Sequence, residues 1–444
     1  MKRIGRILNY IRLGAFPLGY GLTGAFIGGT LNRVMIADLA IPASFVGLVF
    51  AVPLMVSPVR MWLGYRSDAF PIFGRRRESY MLIGALIMGF GVFFASSFSV
   101  RTAGADWLIY MGLLLAFSLY GLGRNLSHNT FQALLADVFK GDQRPRAVTG
   151  YEVVTLLGLV AGAGALGQAL ESYDPQRLVM VATGVGAAAL LLTLLAAPGQ
   201  EPRTAQTEKA TATARTSDFR TAVREFIWKD QQARIFFALV FFTFVGTLAQ
   251  DVLLEPYGAL VLGMSVGDTT RLTMFWGLGV MGAMLLSGVI LIKWLGHMRI
   301  LRIGIALSIL VFLGLIITGL LGNPNAFRGI VFLMGLGTGL AGAGMLTGVI
   351  NFTTEIRAGL LMGLWGMANM TGHAFGSLMG GGVVDLITGI FGGQPFLAYA
   401  TVFGIEIIML IVAYALTIRF DLAQAKAQIE AQKHLGQAVS ATMS

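Results

Sequence analysis

Apolar residues run along this chain in stretches of about 20, parted by short polar or glycine-rich breaks. That is the length at which a helix crosses a hydrocarbon layer. The pattern predicts twelve helical spans, at roughly 13–35, 42–63, 79–98, 107–135, 146–170, 177–197, 234–262, 272–293, 300–320, 328–353, 359–384 and 396–418. One long polar segment divides them six and six. The two groups echo each other at similar offsets. Asn32-Arg33-Val34-Met35 resembles Gln250-Asp251-Val252-Leu253, Gly121-Leu122-Gly123 recurs as Gly335-Leu336-Gly337, and Arg146-Ala147 recurs as Arg357-Ala358. The expected fold is an all-α integral membrane bundle of twelve transmembrane helices in two pseudo-symmetric six-helix halves. The halves are residues 1–197 and 234–418, with a cytoplasmic linker at 198–233 and a cytoplasmic tail at 419–444.

Composition narrows this further. Hydrophobic residues make up 56% of the chain and charged residues 12%, and mean hydropathy is +0.75. With no water in a bilayer core the backbone must satisfy itself, and helix-length runs select helices over a barrel. The net charge of +10 is a matter of topology. With both termini in the cytoplasm, all but five of the 32 Lys and Arg residues fall inside, the exceptions being Arg33, Arg101, Arg177, Arg271 and Arg328. Attraction to anionic lipid follows, and nucleic-acid binding does not. There is no cysteine, so disulfides and thiolate metal sites are excluded. The basic start, Met1 to Arg6, reads as the beginning of an uncleaved first helix. Within the linker, Phe219, Val223, Phe226 and Ile227 fall at helical spacing, which predicts an amphipathic helix on the membrane surface.

Between the second and third spans stand Gly64-Tyr-Arg-Ser-Asp68 and then Gly74-Arg75-Arg76-Arg77. This resembles the signature loop of the major facilitator superfamily, with three extra residues between Asp68 and Gly74. Its glycines admit close helices, and Asp68, Arg75 and Arg76 are expected to latch the two halves at the inner side. Three further stretches carry a narrower resemblance. They are Leu31-Asn32-Arg33-Val34-Met35-Ile36 running through Pro58-Val59-Arg60, Leu253-Leu254-Glu255-Pro256-Tyr257-Gly258, and Arg357-Ala358-Gly359 into Gly363-Leu364-Trp365-Gly366. Together they are similar to the PucC/LhaA family. That resemblance implies a major-facilitator-like fold in the cytoplasmic or intracytoplasmic photosynthetic membrane of a phototrophic bacterium. It implies a role in assembling light-harvesting antenna, with (bacterio)chlorophyll as bound or delivered pigment. Antenna polypeptides would be the partners, with reaction-centre or pigment-synthesis proteins as further candidates.

The polar residues inside the spans are the candidate site. Asp251 and Glu255 lie four apart on span seven, and Arg33 holds the matching repeat position on span one, so an Arg33 pair with Asp251 or Glu255 across the pseudo-two-fold axis is expected. Proton coupling through Glu255 is a competing role. Pro256 is expected to break span seven locally. In span four, Arg124, Asn125, Ser127, His128, Asn129 and Gln132 are too polar for a lipid face, Arg124, His128 and Gln132 form one stripe, and Glu152 of span five is the expected partner of Arg124. His128 and His373 are the histidines at membrane depth. A neutral imidazole suits the open axial position of a chlorophyll magnesium, and it equally suits a hydrogen-bonded packing role. His373 sits among Gly366, Gly372, Gly376 and Gly380 to Gly382, opposite Gly339, Gly342 and Gly344. Such surfaces admit a flat macrocycle or another helix.

Enzymatic readings find no support in the residues. Gly335-Leu-Gly-Thr-Gly lies inside a span with no preceding strand, which excludes a nucleotide loop. No Asp-rich diphosphate site and no direct metal-site spacing occurs, so magnesium is expected only within chlorophyll. Two classes remain: an assembly factor that handles pigment, and a proton-coupled secondary transporter of a small amphiphile.

Overall fold

The computed structural model describes residues 2–55, 70–102, 107–139, 143–201, 231–352 and 358–419. Gly64 and Asp68, the expected amphipathic linker helix and the tail lie outside the described residues.

Twelve spans are seen among the described residues, and β structure there is limited to one bridge between Ile72 and Arg75. Helix α1 (Lys2–Gly24) runs on as π-helical Ala25–Leu31 and Val34–Asp38. The first half continues with α2 (Ala43–Met55), α3 (Glu78–Ser99), α4 (Trp107–Val138), α5 (Gln143–Ala169) and α6 (Pro175–Ala196). Helix α7 (Gln231–Leu248) is extended by a 3-10 turn, Ala249–Val252, and a short helix, Leu254–Leu260. Helix α8 (Val266–Leu286) is extended by π-helical Ser287–Leu291 and a last turn, Ile292–Leu295. Then come α9 (His297–Leu321), α10 (Pro324–Phe352), α11 (Ala358–Ile390) and α12 (Pro395–Arg419). Seven of these, α3 to α6, α9, α10 and α12, are each long and apolar enough alone to cross a membrane.

Local chemistry explains several boundaries. Asp174 caps α6, accepting from the Arg177 amide at 2.6 Å, with Pro175 in the first turn. Ser265 caps α8, accepting from the Asp268 amide at 3.1 Å. The turn from α8 into α9 passes through Gly296 at φ +78°, and the hairpin before α3 passes through Gly74 at φ +71°, a region that glycine enters without strain.

The break in α7 differs from expectation. It comes before Pro256, at the 3-10 turn, and Pro256 falls in the first turn of Leu254–Leu260, where its missing N–H costs nothing. The amide of Gln250 is released by the break and donates to Glu406 Oε1 of α12 at 3.0 Å.

The halves meet along two helix pairs, α2 with α11 and α5 with α8. Glycines set this spacing. A Cβ at Gly47 would run into the Ser377 carbonyl, one at Gly381 into the Ala43 carbonyl, and one at Gly267 into the Gly167 carbonyl. Around His373, within the second half, Gly372 packs on Phe241 and Phe244 of α7 and Gly339 on Val280 and Ala283 of α8, while a Cβ at Gly342, Gly366 or Gly382 would meet nothing within 4 Å. At Gly372 and Gly339 the glycine receives a neighbouring helix rather than a flat ligand.

Candidate functional site

Between the halves lies a cavity of about 510 Å³. Its walls come from α1, α2, α4 and α5 on one side and from α7, α8, α10 and α11 on the other. It collects Arg124, His128, Glu152, Glu255 and His373, residues widely separated in sequence, into one lining. Gln250 and Trp276 join them, and the Gln250 Oε1 and Trp276 Nε1 atoms are buried with no hydrogen-bond partner among the described residues.

Arg124 is held by two tyrosines. Its Nε donates to Tyr20 Oη at 2.8 Å and its Nη1 to Tyr120 Oη at 2.5 Å. The guanidinium also lies 4.5 Å from the Tyr20 ring centre. Two tyrosine hydroxyls thus hold the guanidinium, and Glu152, its expected partner, lines the same cavity. Tyr20 also stacks on His128, with ring centres 5.1 Å apart and planes at 17°, while Tyr151 packs on His128 at 5.5 Å. One tyrosine thus positions both the cation and an imidazole.

One end of the cavity is closed by bonds between the halves. Thr30 and Thr270 hydroxyls lie 3.2 Å apart. Asn32 Nδ2 donates to Glu255 Oε2 at 3.3 Å, and Thr273 Oγ1 donates to Glu255 Oε1 at 2.9 Å. Glu255 is therefore held from both halves, as the repeat suggested, but by Asn32 instead of Arg33. Arg33 pairs with Asp38 and reaches across to the Met264 carbonyl at 3.4 Å. The side chain of Asp251 falls outside the described residues. A further link went unread in the sequence: Asp385 of α11 accepts from the amides of Ala43, at 3.0 Å, and Ser44, at 2.7 Å, at the start of α2. A carboxylate at a helix N-terminus is a familiar arrangement, yet Asp385 lay inside an apolar span with no motif to flag it.

A basic cluster lies at the opposite end. Arg77 Nε donates to Asp137 of α4 at 3.1 Å, and Arg75 pairs with Glu78. The amides of Arg76 and Arg77 donate to the Glu201 carboxylate at 2.9 and 3.0 Å, and Arg76 Nε lies 3.5 Å from the same group. In turn the Glu201 amide donates to Glu78 at 2.8 Å. The cluster ties α3, α4 and the end of α6 together inside the first half. Gly74 shapes the turn that carries Arg75 and Arg76, while Gly64 and Asp68, the other members of the expected latch, lie outside the described residues.

A family model described as PUCC protein matches residues 30–424. The chain belongs to the PucC family. Protein PucC of Rhodobacter capsulatus is 31% identical over 421 residues, covering 92% of this chain and 91% of that protein. Protein PucC of Cereibacter sphaeroides is 30% identical over 414 residues, covering 89% and 88%. A further Rhodobacter capsulatus relative, named as the bacteriochlorophyll synthase 44.5 kDa chain, is 30% identical over 417 residues, covering 90% and 91%. In three dimensions this PucC-family chain resembles the nucleoside transporter NupG, with TM-score 0.67, 15% identity, and 92% and 98% of the two chains covered. It also resembles the inward-open xylose transporter XylE from E. coli, with TM-score 0.68, 14% identity, and 94% and 98% covered. At those identities the likeness is one of fold: a multi-pass, major-facilitator-like membrane protein.

Proposed function

We propose that this chain is an assembly factor for light-harvesting antenna, holding (bacterio)chlorophyll in the central cavity for delivery to antenna polypeptides. The observation that carries the reading is that, in a PucC-family chain, two histidines from opposite halves, His373 and His128, line one cavity. A neutral imidazole at either position would hold the magnesium of such a pigment. The orphaned Trp276 Nε1–H supplies a donor for a ring carbonyl, and the cavity volume lies within the usual range for ligand pockets. His373 is the first choice as ligand and His128 the second. Both termini are assigned to the cytoplasm of an inner or intracytoplasmic membrane on the strength of the basic-residue asymmetry.

Purification in mild detergent followed by absorption spectroscopy tests the reading. Near-stoichiometric pigment is expected, falling in the order wild type, His373→Gln, His373→Leu, because glutamine keeps a weaker oxygen ligand. Unchanged pigment after both histidines become leucine removes the ligand assignment. A colourless protein that still captures antenna polypeptides removes pigment handling.

A second reading, proton-coupled transport of a small amphiphile, draws on Glu255. Its carboxylate is buried and bonded from both halves, so a change of its charge would act on the closure itself. Uptake into proteoliposomes that survives collapse of the proton gradient would count against it.

A further inference from the structure

A second space adjoins the central cavity on the side away from its closed end, an apolar groove of about 430 Å³. Leu13 and Pro17 of α1, Phe131 and Leu135 of α4, and Tyr151 and Val154 of α5 form its walls. On each of these helices the groove continues the cavity within one turn. Pro17 stands three residues before Tyr20 of the cavity, Phe131 stands three after His128, and Tyr151 belongs to both linings. The Tyr151 ring packs on His128 at 5.5 Å and on Phe131 at 5.2 Å, so the two spaces meet at this side chain. At the far end Tyr10 of α1 packs on Phe139, just past α4, with ring centres 5.2 Å apart. The groove exists because α5 packs along α1 and α8 and meets α4 only lightly. Two glycines widen it. Gly14 and Gly150 line the groove, and a Cβ at either would meet nothing within 4 Å. Glycine inside a helix weakens that helix unless room is needed, and the room these two leave is the groove.

We propose that this groove seats the hydrocarbon tail of the pigment: the macrocycle lies in the cavity, and the long isoprenoid chain of its ester runs past Tyr151 into the groove. The inference rests on the pigment reading and deepens it, by giving the second part of the same ligand a site of its own. The chemistry divides as the two spaces do. Arg124, Glu152 and Glu255 line the cavity, and a hydrocarbon chain folded in among them would desolvate charged groups without bonding to them. Among the described residues the groove's ionisable lining is limited to Tyr10 and Tyr151. A cavity of about 510 Å³ is of a size that houses a drug-sized ligand, and a macrocycle with its ester chain is larger than that. A membrane lipid chain is as apolar as the tail, so transfer into the groove is worth little by itself. Continuity favours the pigment tail, because a chain tethered to a head bound next door is present at high effective concentration.

The test is photolabelling of the full-length protein in phosphatidylcholine nanodiscs. The probe is a magnesium chlorin whose long ester chain carries a diazirine near its free end. Illumination should attach the tail to the peptides that hold residues 10–17, 131–139 and 147–154. Gly14→Leu fills the groove and should cut this labelling about tenfold, the scale of forcing extra carbons into an occupied space. Gly14→Ala leaves most of the room and should label as wild type does. The absorption shift of the macrocycle reports separately whether the head is bound. Labels scattered over other helices, or undiminished groove labelling in Gly14→Leu, overturn the inference and, with the shift intact, leave the pigment reading standing. A phosphatidylcholine with a diazirine in its acyl chain that marks the groove equally strongly while pigment is bound assigns the groove to lipid and likewise overturns the inference. Absence of both shift and label in wild type overturns the inference together with the pigment reading. Should Gly14→Leu fail to insert, the wild-type label and its loss in Gly150→Leu, on the α5 wall, carry the same decision.

Discussion

Arg33 shows how the hydrogen-bond register of a helix decides which charges meet. Residues five apart on an α-helix point about 140° away from each other. In a π-helix, whose bonds span five residues, they come onto one face. The C-terminal end of this span is π-helical over Val34–Asp38, the Leu39 amide bonds back to the Val34 carbonyl at 3.0 Å, and Arg33 accordingly closes on Asp38. An α-helical reading of the sequence looks for partners three or four residues away or on another helix, and so passes Asp38 by. Burial holds the Asp38 carboxyl above its usual 3.8, with Arg33 pulling the other way. A carboxyl raised on folding adds stability below its unfolded pKa and loses it as pH rises through the folded value. Between 3.8 and that higher value, wild-type thermal stability should therefore decline with rising pH by a component that Asp38→Asn removes. At neutral pH the same substitution strands the buried Arg33 and should cost about 2 kcal/mol. A melting series across pH checks both signs, and identical profiles for wild type and variant would contradict the assignment.

At the scale of elements, spans were legible because a membrane imposes length and hydropathy on each one. Helix α3, expected at 79–98, runs Glu78–Ser99, and α12, expected at 396–418, runs Pro395–Arg419. What periodicity did not convey is where a span leaves α geometry, since each interruption is satisfied from another helix. The 3-10 turn of α7 is possible because Glu406, buried within α12, accepts the Gln250 amide. The start of α3 has Arg77 at its cap with no capping side chain of its own, and Glu201 accepts there in its place. Such a vacancy at a helix N-terminus was a usable signal that a distant carboxylate was required. Glu406→Gln keeps an acceptor for Gln250 and should melt near wild type. Glu406→Leu should lose about 1–3 kcal/mol, the cost of a buried amide left without a partner. Equal melting temperatures for the two variants would show that the turn in α7 does not depend on this bond.

At the scale of the whole molecule, the internal repeat accounts for a cavity walled by equivalent helices of the two halves, because such helices approach one axis. It did not foretell the bonds that close one end, since those are made by non-equivalent residues: Asn32 with Glu255, and Asp385 with the start of α2. This closure also separates the two functional readings. Thr30 and Thr270 are fully buried at it, with their hydroxyls 3.2 Å apart, and the chain has no cysteine of its own. A Thr30→Cys, Thr270→Cys double variant therefore places two sulfurs at a spacing compatible with a disulfide, and any cross-link formed within one chain is unambiguous. Oxidation should lock the closed end. A transporter that alternates its access must open there, so locking should abolish uptake and added reductant should restore it. An assembly factor loaded from the other end or from the membrane has no such requirement, and the locked protein should retain bound pigment and support normal antenna accumulation. Loss of antenna in oxidised cells, with recovery on reduction, would show that the closed end has to open and would turn the assembly reading into one of transport.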